Sequence, residues 1–400
     1  MARNVTVAMV AGEASGDQIA GPLVAELRAR MPGARFVGIG GPRMQAAGLE
    51  SWYPMETLSV RGYAEAAKSV PAILAIRREL ASRLLAEPPS LFMGVDAPDF
   101  NLALEEKLRR AGIATAQYVG PSIWAWRGER IHKIHRSADH MLVLFPFEVP
   151  LYERAGIPVT FVGHPMADEV PEQPDVETAR EQIRLPGAAP VFALLPGSRR
   201  GELEQHAGLF IETAKAILAQ LPTSRFLVPL ATRPTRSQFE QALYDHGGRD
   251  LPLTVLFGHS QLAMTAADVV LVASGTAALE AALLRRPMVI TYRVPKITYR
   301  IMWPRRYLPY IGLPNILAGD FVVPEILQED ARSEVLSHAL VNVYRDKVVR
   351  DRQSARFEEM YRLLRCGAAS RAADVVQSLL RAPSRVTTGM RVTATEGSGS

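Results

Sequence analysis

The chain has 400 residues, of which 48% are hydrophobic and 22% charged. This is the composition of a globular protein long enough for two or three domains. Glycine and proline number 29 each and follow no period, which excludes collagen-like and low-complexity chains. The formal net charge of +5 is smaller than that of a dedicated nucleic-acid binder. The single cysteine, Cys366, indicates a reducing compartment, and no apolar window is long enough to predict a membrane span.

Alternating strands and helices are predicted for the first half of the chain. Short, β-rich apolar runs predict buried strands at 5–10, 35–39, 91–95, 114–118 and 140–144. Helical spacing of apolar residues predicts helices at 20–31, 72–86 and 101–111. Because strand–helix–strand alternation requires parallel pairing with right-handed crossovers, this half is expected to form a doubly wound sheet.

The same alternation starts again in the second half. Strands are predicted at 191–195, 225–229, 254–257, 269–273 and 288–292. Helices are predicted at 203–220, 235–245 and 276–284. The fold class is therefore α/β, with two Rossmann-like halves, and ligands of such sheets bind at the carboxyl ends of the strands, in the cleft between the halves.

The pattern also gives domain boundaries. The segment 165–190 is rich in Pro, Asp and Glu and is typical of a linker, so the first domain is placed at 1–168 and the second at 169–345. Residues 346–382 are expected to be helices that can pack back on the first domain. The Thr-, Ser- and Gly-rich end, 383–400, is expected to be a disordered tail.

Two strand-to-helix loops in the second half suit a phosphate. The run 194–202 carries Gly197, Ser198 and Arg199 directly before a long helix, whose N-terminus favours an anion. The plainer alternative is a turn with Ser198 as the N-cap. The run 273–280 is of the same type. It contributes Ser274, Gly275, Thr276 and Glu280 as candidate ligands, the last one for ribose hydroxyls. Together the two loops predict a nucleoside diphosphate site, and neither has the spacing of a P-loop or a dinucleotide fingerprint.

The first half has loops of its own at strand ends. Residues 12–17 open the first helix and include Ser15 as a candidate substrate contact. Asp96 ends a buried strand, where a carboxylate can act as a general base on a sugar hydroxyl. For Asp99 we expect helix capping, a role that Asn101 could also fill. Metal binding by the two aspartates is disfavoured because no third ligand stands nearby.

Aromatic and basic residues alternate at 121–136. Trp126 and Arg127 suit sugar stacking or a phosphate, against the alternative of ordinary packing. His164, at the start of the linker, could contact a ligand or brace the hinge. The eight histidines show no zinc-binding spacing, so neither a metal nor a cofactor is predicted.

Nine strings in order resemble one family, the lipid-A-disaccharide synthases. They are VAGEASGD (10–17), FVGIGGPRMQAAG (36–48), GVDAPDFN (94–101), PSIWAWR (121–127), FPFE (145–148), FVGHPMAD (161–168), LLPGSRRGELE (194–204), ASGTAALE (273–280) and GLPNILAG (312–319). The resemblance covers roughly residues 5 to 375. It implies a GT-B fold, with the acceptor bound by the first domain and the UDP-sugar by the second.

The resemblance also implies an activity. Such an enzyme is a metal-independent, inverting glycosyltransferase of lipid A, that is, lipopolysaccharide, biosynthesis. It transfers 2,3-diacylglucosamine from UDP to 2,3-diacylglucosamine 1-phosphate, giving the β-1,6 disaccharide 1-phosphate and UDP. Carried over by motif, Asp96 would be the general base, Arg199 would neutralise the diphosphate and Asn315 would line the same site.

Location and partners follow from the resemblance too. We expect a cytoplasmic protein, peripheral on the inner face of the inner membrane, with a homodimer as an option and no nucleic-acid partner. Relatives carry bulky apolar residues where the run 62–74 here holds several alanines, so membrane docking through that run is expected to be weaker.

Two other functions stay open at this point. One is a different GT-B UDP-sugar enzyme, such as a UDP-N-acetylglucosamine transferase or 2-epimerase, which would share the nucleotide half. The other is a non-catalytic protein that binds a nucleotide sugar or a membrane surface. The strings at 94–101 and 121–127 favour the lipid enzyme over the first, and Asp96 speaks against the second.

Overall fold

The computed structural model describes residues 5–58 and 63–381, so the predicted tail and part of the run 62–74 lie outside the described residues. In the described part the strands form two separate sheets. The strands of the first sheet are β1 (Thr6–Ala11), β2 (Arg35–Ile39), β3 (Glu50–Ser51), β4 (Leu91–Val95), β5 (Thr115–Tyr118), β6 (His140–Val143) and β7 (Val159–Phe161). Those of the second are β8 (Val191–Leu195), β9 (Arg225–Leu230), β10 (Leu253–Phe257), β11 (Val269–Ala273), β12 (Met288–Tyr292) and β13 (Glu325–Leu327).

Helices connect the strands on both faces of the sheets. In the first half they are α1 (Ala14–Arg30), α2 (Pro42–Ala46), α3 (Tyr63–Ala86), α4 (Pro98–Arg110), α5 (Ile131–Ser137), α6 (Val149–Arg154) and α7 (Pro165–Glu169). They continue with α8 (Val176–Gln182), α9 (Arg200–Gln220), α10 (Arg233–Asp245), α11 (Ser260–Ala266), α12 (Thr276–Leu283), α13 (Lys296–Met302) and α14 (Leu313–Ala318). The chain ends with α15 (Ser333–Arg345), α16 (Lys347–Leu364) and α17 (Ala368–Arg381).

Both sheets are parallel and doubly wound, as predicted. The first has the order β3-β2-β1-β4-β5-β6-β7 and the second the order β10-β9-β8-β11-β12-β13. All ten predicted strands are present. The sequence missed β3, β7 and β13, which have only two or three residues each and therefore carry too little periodicity to be recognised.

Helices on both faces explain why the central strands are uniformly apolar. Every residue of β4, β8 and β11 is buried. A strand covered on both sides needs no polar face, so its sequence is a continuous apolar run.

The linker is more ordered than its composition suggested. It contains the short helices α7 and α8, each begun by a side-chain cap. The N-cap of α8 is Asp175, whose carboxylate accepts the N–H of Thr178 at 3.0 Å. This hydrogen bond provides an acceptor for one of the backbone N–H groups that the start of a helix leaves without a partner.

The C-terminal helices return to the first half of the chain. Arg30 at the end of α1 donates to Asp374 at 2.5 Å and to Ser370 at 2.6 Å, both in α17. The carboxylate of Asp168 accepts the backbone N–H groups of Gly367 (2.9 Å) and Ala368 (2.6 Å), where α17 begins. These contacts hold α17 against α1, a helix that packs on the first sheet.

Replacing Asp168 by alanine tests this docking. The substitution leaves two N–H groups at the start of α17 without an acceptor, and loss of such a cap costs about 1 kcal/mol. Amide exchange in residues 368–381 should therefore become roughly fivefold faster, measured by hydrogen–deuterium exchange. Asp168→Asn keeps an acceptor oxygen and should show a smaller change, whereas equal exchange in wild type and Asp168→Ala would mean that other contacts hold α17.

Candidate functional site

The carboxyl ends of β1 and β4 lie side by side at the point where the first sheet reverses its strand order. β1 leads into α1 and β4 leads into α4, so the two loops diverge and leave a crevice between them. Ser15, in the first turn of α1, donates from its Oγ to Oδ2 of Asp96 at 3.0 Å. Two of the predicted site residues are thus in direct contact.

Asp96 sits on a left-handed turn of the backbone. Its φ is 53° and that of Ala97 is 44°, a conformation that costs a non-glycine residue about 1–2 kcal/mol. The carbonyl oxygen of Asp96 accepts two buried amide groups, from Asn101 at 2.9 Å and from Gln117 at 3.1 Å. These bonds fix the backbone from which the Asp96 carboxylate projects.

The expectation that Asp99 caps α4 is wrong. The N-cap is Ala97, which has no side-chain acceptor, because the left-handed turn shifts the start of the helix to that residue. The Asp99 carboxylate instead pairs with Arg130 at 2.8 Å on the protein surface.

The loop after β8 carries the predicted phosphate residues. Gly197 has a φ of 122°, and a Cβ there would lie 2.5 Å from the Cβ of Glu202. The Glu202 carboxylate accepts the backbone N–H of Ser198 at 2.8 Å and that of Arg199 at 3.2 Å. The alternative with Ser198 as N-cap is wrong, since Arg199 is the N-cap and Ser198 is an exposed residue one position earlier.

The Arg199 side chain reaches toward the other half of the chain. Its guanidinium lies 3.6 Å from a carboxylate oxygen of Glu13, the N-cap of α1, and 4.0 Å from Glu202. The Arg199 side chain is 74% exposed. Because Glu13 is two residues before Ser15, this contact puts Arg199 in the same region as the Asp96 loop.

The loop after β11 is the second predicted nucleotide loop. Gly275 has a φ of 144° and no other heavy atom within 4 Å of where its Cβ would be, so the loop borders open space. Thr276 is exposed, whereas the hydroxyl of Ser274 donates to the carbonyl of Ile311 at 3.2 Å. This geometry leaves Gly275 and Thr276 accessible to a ligand.

Glu280 lies one turn after the start of α12, the helix that begins at that loop. Burial raises the pKa of Glu280 to about 7, partly offset by the Ser260 hydroxyl, 3.5 Å from both carboxylate oxygens. A buried carboxylate with this pKa gains from hydroxyl donors, which favour its charged form. Ser260 begins α11 and was not found from the sequence.

The aromatic loop contacts the second half of the chain. The guanidinium of Arg127 stacks 4.2 Å from the centre of the Trp126 ring. Tyr307 donates its backbone N–H to the carbonyl of Ala125 at 3.0 Å, and its hydroxyl accepts the N–H of Gly128 at 3.0 Å. These two bonds join the first half to the second next to Trp126.

His164 is buried and structural in its contacts. Its side chain is 5% exposed, and its Nδ1 accepts the N–H of Met166 at 3.2 Å, which caps α7. Burial lowers the pKa of His164 to about 4, so the ring is neutral at physiological pH. These contacts favour the hinge-bracing alternative over ligand contact.

Asn315 is also fully buried. Its Oδ1 accepts the N–H groups of Val322 and Val323, and its Nδ2 donates to the carbonyl of Val323 and to the Glu325 carboxylate at 2.8 Å. The amide is thus saturated by its own chain. It braces the 312–325 loop, beside the loop that contains Ser274.

Three contributors escaped the sequence prediction. Glu13, Ser260 and Tyr307 became recognisable only through their neighbours Arg199, Glu280 and the aromatic loop. Each is an ordinary residue type at a loop or helix start, and for Glu13 the one usable signal was its position two residues after the end of β1.

The part of the chain that the structure describes contains neither a cluster of metal ligands nor a membrane-spanning helix. Within 5–58 and 63–381, no three His, Cys, Asp or Glu side chains converge as metal ligands would. In the same ranges, every helix falls short of the length or the apolarity that a membrane crossing requires.

Two parallel-sheet halves, with a carboxylate at a strand end of one and the predicted nucleotide loops on the other, define the GT-B fold, which this chain shares with glycosyltransferases. Solved structures agree on the fold. The calicheamicin glycosyltransferase CalG4 superposes with a TM-score of 0.61 at 16% identity, covering 95% of this chain and 100% of that one. UDP-GlcNAc 2-epimerase from Neisseria meningitidis, bound to UDP-GlcNAc, gives 0.62 at 11% identity, covering 94% and 99%.

Sequence comparison identifies the family. The profile of the lipid-A-disaccharide synthetase family matches residues 7–379. The lipid-A-disaccharide synthase of Chromobacterium violaceum is 53% identical over 94% of this chain and 97% of its own length. That of Dechloromonas aromatica is 54% identical over 94% and 99%. The chain belongs to the lipid-A-disaccharide synthase family, as the resemblance of its motifs predicted, and this membership favours the lipid A enzyme over the two alternative functions.

The buried His164 gives a pH prediction. Because its folded pKa of about 4 lies below the unfolded value of about 6.5, its contribution to stability is complete above pH 6.5 and is lost as the pH falls toward 4. The free energy of unfolding should drop by up to about 1.4 kcal/mol per pH unit from this group.

The measurement is the denaturation midpoint between pH 7 and pH 4 for wild type and His164→Asn. Asparagine retains an acceptor oxygen for the Met166 N–H but does not titrate, so its midpoint should fall less steeply with acid. Parallel curves for the two proteins would show that His164 is not the titrating group.

Proposed function

We propose that the chain transfers 2,3-diacylglucosamine from its UDP donor to the 6-hydroxyl of 2,3-diacylglucosamine 1-phosphate. The contact between Ser15 and Asp96, opposite Arg199 in the other half, is the observation that carries the proposal. With Asp96 as the base and Arg199 as the cation, this arrangement supports a reaction in the cleft between the two halves. Family membership supplies the substrate class.

The proposed reaction is a single displacement at the anomeric carbon. The Asp96 carboxylate removes the proton from the acceptor hydroxyl, whose oxygen forms the new bond to the anomeric carbon. The bond from that carbon to the diphosphate oxygen breaks, and its electron pair leaves with UDP. Attack opposite the leaving group inverts the configuration and gives the β-1,6 linkage.

Arg199 is proposed to neutralise the leaving diphosphate. The nearest backbone donors, the N–H groups of Ser198 and Arg199, already bond to Glu202. A full positive charge on an exposed guanidinium therefore supports charge stabilisation better than the helix terminus does. Glu280 is proposed to accept the ribose hydroxyls, with Gly275 and Thr276 beside the diphosphate.

Buried site candidates are proposed to act through other residues. Asn315 is a positioning residue that fixes the 312–325 loop next to Ser274.

Trp126 and Arg127, on the aromatic loop, are proposed to bind the acceptor sugar or its phosphate.

The decisive experiment incubates the purified protein with both acylated substrates and measures released UDP and disaccharide. Formation of both products supports the proposal. Turnover of a non-acylated acceptor, without turnover of the acylated one, would overturn the substrate assignment.

Asp96→Asn tests the base. It should lower turnover by about 10²–10⁴-fold, because that is the contribution of a general base, and should leave UDP affinity unchanged in calorimetric titration. Asp99→Asn is the matched control in the same loop, since it removes only a surface ion pair, and its turnover should stay near that of wild type. Equal losses of UDP affinity and of turnover in Asp96→Asn would assign Asp96 a structural role.

We further propose that the protein works as a peripheral protein on the cytoplasmic face of the inner membrane. Helix α13 exposes Ile297 (75%) and Ile301 (51%), which lie four residues apart on one helix face. Basic and aromatic residues lie near them in the sequence: Lys296, Arg300, Arg305, Arg306, Trp303 and Tyr307. Apolar anchors among cations suit an anionic lipid surface, although Glu329 and Asp330 are close to Tyr299 on this helix.

The membrane proposal predicts that Ile297→Glu/Ile301→Glu weakens binding to vesicles. Removing two apolar anchors should lower co-sedimentation with vesicles containing phosphatidylglycerol by about tenfold or more. Tyr244→Glu is the control, because Tyr244 is 59% exposed in the same half but outside α13. If the double variant sediments like wild type, α13 is not the docking surface.

A homodimer is proposed from the family resemblance alone. In this chain α17 packs on its own α1 through Arg30, and sedimentation velocity at several concentrations would measure the oligomeric state.

A further inference from the structure

A buried carboxyl group lies directly beneath the Asp96 turn. Glu105, in α4, is fully inaccessible to solvent, as are its neighbours Asn101 and Gln117. Burial raises the pKa of Glu105 well above its usual range, and this outweighs the opposing effects of the Gly94 backbone and of Lys133. None of the catalytic steps above uses this group.

The amides of Asn101 and Gln117 have a fixed orientation. The Nδ2 of Asn101 donates to the carbonyls of Val10 and Asp96, at 3.1 and 2.9 Å. The Nε2 of Gln117 donates to the carbonyls of Asp96 and Val119, at 3.1 and 3.3 Å. Since carbonyl oxygens accept and never donate, the amide nitrogens must face them, and the amide oxygens must face the other way.

Those amide oxygens lack a donor. Oδ1 of Asn101, Oε1 of Gln117 and both oxygens of Glu105 are buried without a side-chain hydrogen bond. Around Gly94, Oε1 of Glu105 and Oε1 of Gln117 crowd the same spot, 2.3 and 2.4 Å from where a Cβ would lie. Two acceptor oxygens that are buried beside the same spot repel each other unless a proton lies between them.

We propose that Glu105 is a positioning residue that remains a neutral carboxylic acid and donates its proton to Oε1 of Gln117. This bond fixes the Gln117 amide, which in turn holds the carbonyl of Asp96 and keeps the left-handed turn in place. The inference rests on the proposed role of Asp96 as the base, because it explains how that carboxylate is aimed.

The first test compares two replacements of Glu105. Glu105→Gln is neutral and of the same shape, and its amide can still donate to Gln117, so kcat and KM should stay within about threefold of wild type. Glu105→Leu leaves Gln117 without a donor, so kcat should fall about tenfold to a hundredfold, since a small misplacement of a catalytic group has effects of this size. KM and UDP affinity should change little.

A matched control separates positioning from general destabilisation. Thr115 lies on the same face of β5 as Gln117, and its buried hydroxyl donates to the Ser137 carbonyl at 2.8 Å, away from Asp96. Thr115→Val should lower the melting temperature without lowering kcat. An equal loss of kcat in this control would reduce the effect of Glu105→Leu to destabilisation and overturn the proposal.

A double-mutant cycle tests whether Glu105 acts through Asp96. In an Asp96→Asn background, adding Glu105→Leu should have almost no further effect on kcat. Independent, additive losses would overturn the proposal while leaving the role of Asp96 intact. If Asp96→Asn alone keeps full turnover, the proposed base is wrong, which is a separate outcome.

Infrared spectroscopy supplies a readout that does not depend on activity. At neutral pH, the difference spectrum of wild type minus Glu105→Gln should contain the carbonyl stretch of a protonated carboxylic acid. A carboxylate band in its place would show that Glu105 is ionised and would overturn the proposal, even if Glu105→Leu failed to fold.

Discussion

The handedness of parallel crossovers is the constraint on which the site depends. In each sheet the chain moves outward from a central strand in one direction, then returns and moves outward in the other, so β1 borders β4 and β8 borders β11. Because every crossover is right-handed, the helices after these neighbouring strands lie on opposite faces, and their loops must diverge. The two crevices that result contain Asp96 in one half and the two predicted nucleotide loops in the other.

The crevice in the first half is rigid because it is built from strain and buried hydrogen bonds. Two consecutive non-glycine residues, Asp96 and Ala97, adopt left-handed backbone angles, and each costs about 1–2 kcal/mol. The amides of Asn101 and Gln117 offset this strain, since removing either would leave the carbonyl of the half-buried Asp96 with one hydrogen bond fewer. The backbone that carries the Asp96 carboxylate therefore has little freedom to move.

The sequence predicted the scaffold better than the site. Long apolar runs revealed the ten main strands, and the position of Asp96 at a strand end predicted its place in the crevice correctly. The sequence could not reveal that Asn315 and His164 are buried, because burial depends on partners elsewhere in the chain, such as Glu325, and on the packing around the hinge. Glu105 was missed for the same reason: nothing in the sequence separates it from a solvated glutamate, and only the packing of α4 against β4 and β5 shows that it is buried.

The contact between Arg199 and Glu13 across the cleft is weak, and that weakness suits a transferase. Arg199 and Glu13 are 3.6 Å apart with side chains 74% and 54% exposed, and a pair of this kind stabilises a protein by about 0–1 kcal/mol. A diphosphate carries more negative charge than one carboxylate and can bind the guanidinium bidentately, so it competes effectively with Glu13. On the proposed role of Arg199, its guanidinium exchanges Glu13 for the diphosphate at small cost. This exchange would free Glu13 beside Ser15 and the Asp96 carboxylate, and it would couple occupation of the nucleotide loops to the electrostatics of the acceptor crevice.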